Sequence, residues 1–391
     1  MSFLSNKRYL IFTVKNVRLI SLQRICKYFI KSIDNPYDYD KSEFKEKFQI
    51  LEDKLELMDK RRAKYHDILV QKTKSKLTCL KNCICNEKSD LIEAGSLVTG
   101  LTTTTNSDVD LVFIVFDDES NIFQEDFINN ISFRSKFMKT VSKLITNDQK
   151  LWNTKVDKMF IILHAKVPII KLEFKDGTKF DIQFCNYQTL KNTNLMRYYA
   201  ASDPRYRKVY IYAKVLASNL NIIGGEKGLL TSYQISILVA HFFQMSLKNQ
   251  QAVLPVIPQF YSSFVSPHHS LKEVVRNLSR PIDVSKLQLH INQKPLASHL
   301  AMQFIDYFAN FDFISYAIFI NKRYPVHMFQ VDPSPKLQIF DSYSNESISN
   351  SHRALEAFST NMKYLQGLMK RGYFIDPFPN LNKEKYKSGI K

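Results

Sequence analysis

The chain has no disulfide framework. Its five cysteines (Cys26, Cys79, Cys83, Cys85 and Cys185) are odd in number and lie at spacings that build no cross-linked scaffold. Cys79, Cys83 and Cys85 cluster, but no histidine follows at the spacing of a zinc knuckle. This excludes a small stapled domain and predicts an intracellular, reducing setting, cytoplasmic in the first instance. No apolar run approaches the roughly 18 residues that cross a bilayer, so no membrane partner is expected. There is no internal repeat and no low-complexity tract, which excludes solenoids and repeat-based polymers. Acidic residues are absent from the first 33 positions, which carry seven bases: Lys7, Arg8, Lys15, Arg18, Arg24, Lys27 and Lys31. That segment is compatible with a mitochondrial presequence, an RNA-contacting helix, a partner-binding helix or a solvated basic helix packed on the body.

What is present is a large apolar content and an excess of positive charge. At 391 residues, 45% hydrophobic and 13% aromatic, the chain can form two cores and is not a disordered polypeptide. Lysine and arginine outnumber the acids by 55 − 37 = 18. Such a balance suits a polyanion or an anionic membrane surface, and alone does not choose between them.

The most informative stretch runs Gly95-Ser96-Leu97-Val98-Thr99-Gly100 and then Ser107-Asp108-Val109-Asp110-Leu111. Val109 to Phe116 reads as a buried strand between two polar boundaries. Residues two apart on a strand share a face, so Asp108 and Asp110 present two carboxylates side by side. Like charges at that spacing need a proton or a divalent cation between them. The Gly95-Ser96 pair offers a turn whose backbone N–H groups and hydroxyl suit a phosphate. A third acid, Asp181, lies in the run Lys179 to Phe184. A second run, Pro168 to Phe174, joins it through Asp176-Gly177, a strong hairpin signal. An acid with apolar neighbours in such a strand is costly unless paired or metal-bound. Three carboxylates from two stretches of chain predict a site for two divalent ions, Mg²⁺ or Mn²⁺.

Along the chain, Phe44, Phe48, Leu51, Leu55 and Met58 recur at helical spacing and predict a long helix leading into the strand region. Residues 86–203 hold the strand signals. After the Asp203-Pro204 turn the pattern is helical at 206–220 and 232–247. Pro255, Pro258 and Pro267 mark a loop, helix returns at 295–308, and the apolar run 311–320 packs or pairs. The stretch beyond Tyr373, ending in lysines, reads as loosely ordered.

The Gly-Ser to Asp-x-Asp pattern closely resembles the signature of the DNA polymerase β-like nucleotidyltransferases. From about Gly95 to Asn350 the chain resembles their terminal nucleotidyltransferase branch, the cytoplasmic poly(A) polymerases and poly(U) polymerases. Further segments carry the likeness. They are His164 to Lys171; Phe180-Asp181-Ile182 with Asn186; Asn192-Thr193, Asp203-Pro204-Arg205 and Lys214; and Gly228 to Tyr233 with Phe304 to Phe313. The resemblance implies an α+β, bilobal fold: a mixed-sheet catalytic lobe and a mainly helical central lobe of the poly(A) polymerase-associated type. Boundaries follow as a basic extension at 1–42, a helix at 43–85 serving the central lobe, a catalytic domain at 86–203, the central domain at 204–375 and a basic tail at 376–391.

The implied activity is template-free addition of ribonucleotides from an NTP to an RNA 3′ end. AMP is the first choice, with uridylate or mixed U and G tails as alternatives. Asp108, Asp110 and Asp181 are the implied metal ligands. Gly95, Ser96, Lys214 and Ser232 are implied at the phosphates, Asn186 at the ribose and Tyr233 under the base. The residues' own chemistry leaves a helix-cap role open for Ser232, a surface position for Lys214 and a core position for Tyr233. Two departures stand out. Ser218 replaces the second lysine that relatives carry one helical turn after the first, and Ser347 stands where several uridine-selective members have histidine. A non-catalytic RNA-binding scaffold, and enzymes making oligoadenylates or cyclic dinucleotides, are the competing classes. No RNA-recognition module is visible, so an RNA-targeting protein partner is expected.

Overall fold

The computed structural model describes residues 42–116, 122–148, 152, 155–165, 167–245, 251–287, 295–328, 336–344, 346–349 and 351–379. The basic N-terminal segment with Cys26, Lys166 of the His164 to Lys171 motif and the last twelve residues, 380–391, lie outside the described residues.

A helix of 43 residues, α1 (Ser42–Ile84), contains neither glycine nor proline and runs for about 65 Å at 1.5 Å per residue. Its two halves bury apolar residues in different places. Phe48, Leu51 and Leu55 enter the core of the helical lobe, whereas Leu69 and Leu80 enter the core beneath the sheet. The helix thus serves both lobes rather than the central lobe alone, because its apolar stripe continues past the point where one core ends.

The five-stranded sheet combines β1 (Ser89–Ala94), β2 (Val109–Val115), β3 (Val156–Ile162), β4 (Ile169–Phe174) and β5 (Lys179–Phe184) in the order β1-β2-β5-β4-β3. Only the central pair β2·β5 is parallel; the other three are antiparallel. A five-residue helix, α2 (Gly95–Thr99), follows β1, so the Gly-Ser pair starts a helical turn rather than an open one. Two helices, α3 (Ile122–Asn129) and α4 (Ile131–Asp148), join β2 to β3. Their Phe127, Met138, Val141 and Ile145 pack with Leu111, Phe113, Ile170, Leu172, Phe180 and Ile182 on one face of the sheet. The opposite face carries Asp110, Val112 and Ile114 of β2. It is covered by α5 (Tyr187–Ser202), which follows β5.

Asp203 and Pro204 stand at the N-cap and first position of α6 (Pro204–Asn219), where Asp203 accepts from Arg205 N. Helix α7 (Ser232–Gln244) is closed by a capping box between Thr231 and Gln234. The proline-marked loop contains two single turns, α8 (Ile257–Phe260) and α9 (Ser262–Val265). Helix α10 (Leu271–Ser279) then sends Val274 onto the sheet face already covered by α5. Short α11 (Val284–Leu287), then α12 (Ala297–Ala309), β6 (Tyr316–Phe319), β7 (Val326–His327), β8 (Ile339–Phe340) and α13 (His352–Lys370) complete the lobe. Residues 374–379 are packed rather than loose. Ile375 and Phe378 are buried, Tyr212 Oη donates to Ile375 O at 2.9 Å, and Asp376 pairs with Lys54.

The lobes are tied by charge as well as by α1. Asp59 accepts from Arg62 (2.7 Å) and Arg207 (3.3 Å), while Arg62 also donates to the carbonyl of Gly100 in the loop leading to Asp108. The β4–β5 hairpin is held to α1 by the Lys76–Asp176 pair at 2.8 Å. Burial alone would raise the Asp176 carboxyl, but the Lys76 ion pair and hydrogen bonds from Thr178 prevail and hold it at about 2. A depressed carboxylate stabilises the fold above its unfolded value and loses that contribution as pH falls through its folded one. Asp176→Asn is therefore expected to cost about 1 kcal/mol at pH 7 after allowance for solvent screening. It should also flatten the acid-side loss of stability between about pH 4 and pH 2. Urea unfolding at a series of pH values measures both.

Candidate active site

The residues of the site are set by register. Asp110 of β2 lies opposite Asp181 of β5 across the parallel pair, and Asp181 lies opposite Lys171 of β4 across the antiparallel pair. Acid, acid and base thus form one row across three neighbouring strands, about 5 Å between successive backbones. The flanking residues Leu111, Ile182 and Leu172 point into the core behind them, which fixes the row to the other face. Asp108, exposed, stands just before β2.

Asp110 is pushed up to about 6, first by burial and then by the charges of Asp181 and Asp108. Burial also raises Asp181, against the pull of Lys171. The three acids therefore feel one another. Their side chains, however, are not assembled around a common point. Lys171 Nζ grips Asp181 Oδ2 at 2.7 Å, and Gln183 Nε2 donates to Asp110 Oδ1 at 3.2 Å. Among the described residues no three His, Cys, Asp or Glu side chains already stand as a metal cage. The residue types and the register still fit a divalent ion. Hard carboxylate oxygens suit Mg²⁺ or Mn²⁺, and the mutual repulsion of three acids is what such an ion relieves.

Gly95 follows Ala94, which pairs with Asp110 in the sheet. At φ +67° a side chain there would be strained, and a Cβ would overlap Asp110 Oδ2. Gly95 N donates to Thr193 Oγ1 at 3.0 Å, and Thr193 Oγ1 donates to Thr189 O at 2.7 Å. Thr189 Oγ1 and Asn186 Nδ2 both donate to Gln183 Oε1, at 3.1 and 2.8 Å. Helix α5 therefore holds the two acid-bearing strands and the Gly95 turn in one hydrogen-bonded chain ending on Asp110. Half-buried Ser96 sits beside it in α2.

Lys214 is not a surface lysine. It is half-buried on α6, lowered by that burial, and donates to Thr103 Oγ1 at 3.0 Å in the loop between Gly100 and Asp108. Ser218, one turn on, is exposed and neutral. Thr231, not Ser232, caps α7; half-buried Ser232 lies beside Tyr210 of α6. Tyr233 keeps its ring half-buried against the helical core, while its buried hydroxyl has no hydrogen-bond partner among the described residues. Asp341, which follows β8, accepts from Gln188 of α5 at 3.2 Å and from Tyr343 N and Ser344 N. Ser347 is turned into its own loop, accepting from Ile339 N at 3.1 Å and donating to Ser349 O at 2.6 Å.

Gln183, Thr193, Thr103 and Lys171 were not assigned roles from sequence. Gln183 was within reach, because it lies two residues beyond Asp181 and so shares its face. The others needed the strand register and the packing of α5 and α6.

Two substitutions separate the steric role of Gly95 from its backbone role. Gly177 also has positive φ (+78°) but open space around it. Gly177→Ala is expected to cost about 1 kcal/mol, and Gly95→Ala about 1 kcal/mol for φ plus a further 1–2 for displacing Asp110. Chemical denaturation of the two variants side by side checks the difference.

Residues 44–201 match the model of a protein family described as "Poly(A) RNA polymerase, mitochondrial-like, central palm domain". The match takes in α1 together with the whole sheet. The chain is 26% identical over 258 residues to "Poly(A) RNA polymerase gld-2 homolog B" of Drosophila melanogaster, covering 65% of this chain and 18% of that protein. It is 32% identical over 151 residues to "Poly(A) RNA polymerase GLD2-B" of Xenopus laevis, covering 38% of this chain and 28% of that one. The matches thus span less than a third of the length of these curated relatives. Among solved structures, that of the GLD-2/RNP-8 complex shares the fold with a TM-score of 0.63 at 21% identity, covering 81% of this chain and 94% of that one.

Proposed function

We propose that this chain is a terminal nucleotidyltransferase, as its likeness to the poly(A) RNA polymerase palm domain over residues 44–201 supports, and that it adds ribonucleotides from an NTP to RNA 3′ ends without a template. The observation that carries the proposal is the row Asp110–Asp181 across β2 and β5, with Asp108 beside it and Gly95 leaving room for no side chain between. In this proposal Asp108, Asp110 and Asp181 hold two Mg²⁺ or Mn²⁺ ions. Such ions would supply Lewis-acid activation of the RNA 3′-hydroxyl and neutralisation of the charge on the departing pyrophosphate.

The protein's own groups do the rest. Gly95 and Ser96 present backbone and hydroxyl to the phosphates at the turn nearest Asp110. Lys214, already bridging from α6 to the Thr103 loop, turns its ammonium to the triphosphate, and Ser232 adds a hydroxyl. Asn186, hydrogen-bonded to Gln183 beside Asp110, offers its amide to the ribose 2′-hydroxyl. The ring of Tyr233 stacks under the base, a contact worth about 1–3 kcal/mol for any base.

Adenylate is the proposed addition. Ser347 supports this choice, since its side chain is consumed within its own loop and offers nothing to a uracil edge. The excess of 18 positive charges supports a polyanionic acceptor. Because no RNA-recognition module is visible in the sequence, we also propose a protein partner that selects the RNA. The neighbour GLD-2 is itself seen in complex with RNP-8.

Incubation with labelled RNA and an equimolar NTP mixture, followed by sequencing of the tails, tests the proposal. The expected product is a tail mainly of A that requires Mg²⁺ or Mn²⁺. Asp108→Ala is expected to lower the rate by at least about a thousandfold. Tails of U, or of mixed U and G, would replace the adenylate assignment. Full activity in pure Asp108→Ala would remove the enzyme assignment. Tyr233→Ala should raise the NTP KM by about tenfold or more for every base alike.

A further inference from the structure

We propose that Lys171 is a resident counter-cation: it holds Asp181 while no divalent ion is bound and competes with that ion for the carboxylate. The inference rests on the metal reading above and extends it. Lys171 is the cross-strand neighbour of Asp181 and meets Oδ2 at 2.7 Å. The acid side chain is 16% exposed and the lysine 39%, so the ammonium reaches in from the solvent side and can swing away without being buried elsewhere. Asp110, by contrast, accepts from the neutral amide of Gln183.

A single positive charge covers one of three clustered acids and leaves the cluster negative. That keeps Asp181 ordered, and it leaves the attraction for a divalent ion in place. A divalent ion entering between Asp110 and Asp181 must displace the ammonium from Asp181 and then lies near it as a like charge. Both effects weaken ion binding when the lysine is present. If Lys171 served only to orient Asp181 as a ligand, its removal would weaken ion binding instead. The two roles therefore predict opposite signs.

The test is Mn²⁺ binding to the full chain without nucleotide or RNA, read by electron paramagnetic resonance of the free ion. Lys171→Met is expected to tighten binding about fivefold, as removal of a half-exposed ion pair implies, and Lys171→Arg to leave it near the unaltered value. The gain should vanish when Asp181→Asn is added. Unchanged or weaker binding by Lys171→Met, with the unaltered chain still binding, overturns this inference and spares the metal reading. No Mn²⁺ bound by either protein overturns both. Should Lys171→Met not fold, the unaltered chain decides. Reductive methylation of Lys171, followed by mass spectrometry, should quicken when Mg²⁺ is added, and an unchanged rate overturns the competition.

Discussion

The parallel pairing of β2 with β5 is the constraint on which the rest of the site depends. The antiparallel neighbours on either side follow one another in the chain, but this central pair is made across α3, α4, β3 and β4. Its register places Asp110 against Asp181, and a slip of one residue would send one of the two acids into the apolar core behind the sheet. Phe180 and Ile182 lock that register, since both are fully buried on the opposite face from Asp181. The apolar side of the sheet thus fixes the position of the polar side.

The acids so placed carry a cost. Burial and mutual repulsion raise Asp110 to about 6. The fold offsets this with neutral donors and one cation: Gln183 on Asp110 and Lys171 on Asp181. Helix α5 and its N-cap residue Asn186 organise the donors, with Thr189 and Thr193 on the helix, and the same helix reaches Asp341 through Gln188. The helical lobe meets this arrangement at Lys214 and at the Asp59, Arg62 and Arg207 brace. The loop from Gly100 to Asp108 is consequently held from both lobes.

Much of this was legible in the sequence where a local rule operated. The Asp108 and Asp110 strand, the Asp176-Gly177 hairpin, the start of α6 at Asp203-Pro204 and the long N-terminal helix each follow from periodicity or turn chemistry. Helices α3, α4, α5, α10 and α13 were not anticipated. Helix α5 is buried along much of its surface, so its apolar and polar residues do not segregate into a stripe. The ordered stretch around Ile375 and Phe378 was missed because its partners, Tyr212 and Lys54, lie far away in the chain. At the site, residue types revealed the three acids, but only register could reveal that Lys171 holds one of them.

The most direct measurement is a crystal structure of the protein with Mn²⁺ and a non-hydrolysable ATP analogue, with manganese located by anomalous scattering. The account predicts manganese within coordination distance of carboxylate oxygens from Asp108, Asp110 and Asp181, with Lys171 Nζ withdrawn from Asp181. Nucleotide bound with its manganese held by the phosphates alone, and Asp181 still paired to Lys171, would contradict it.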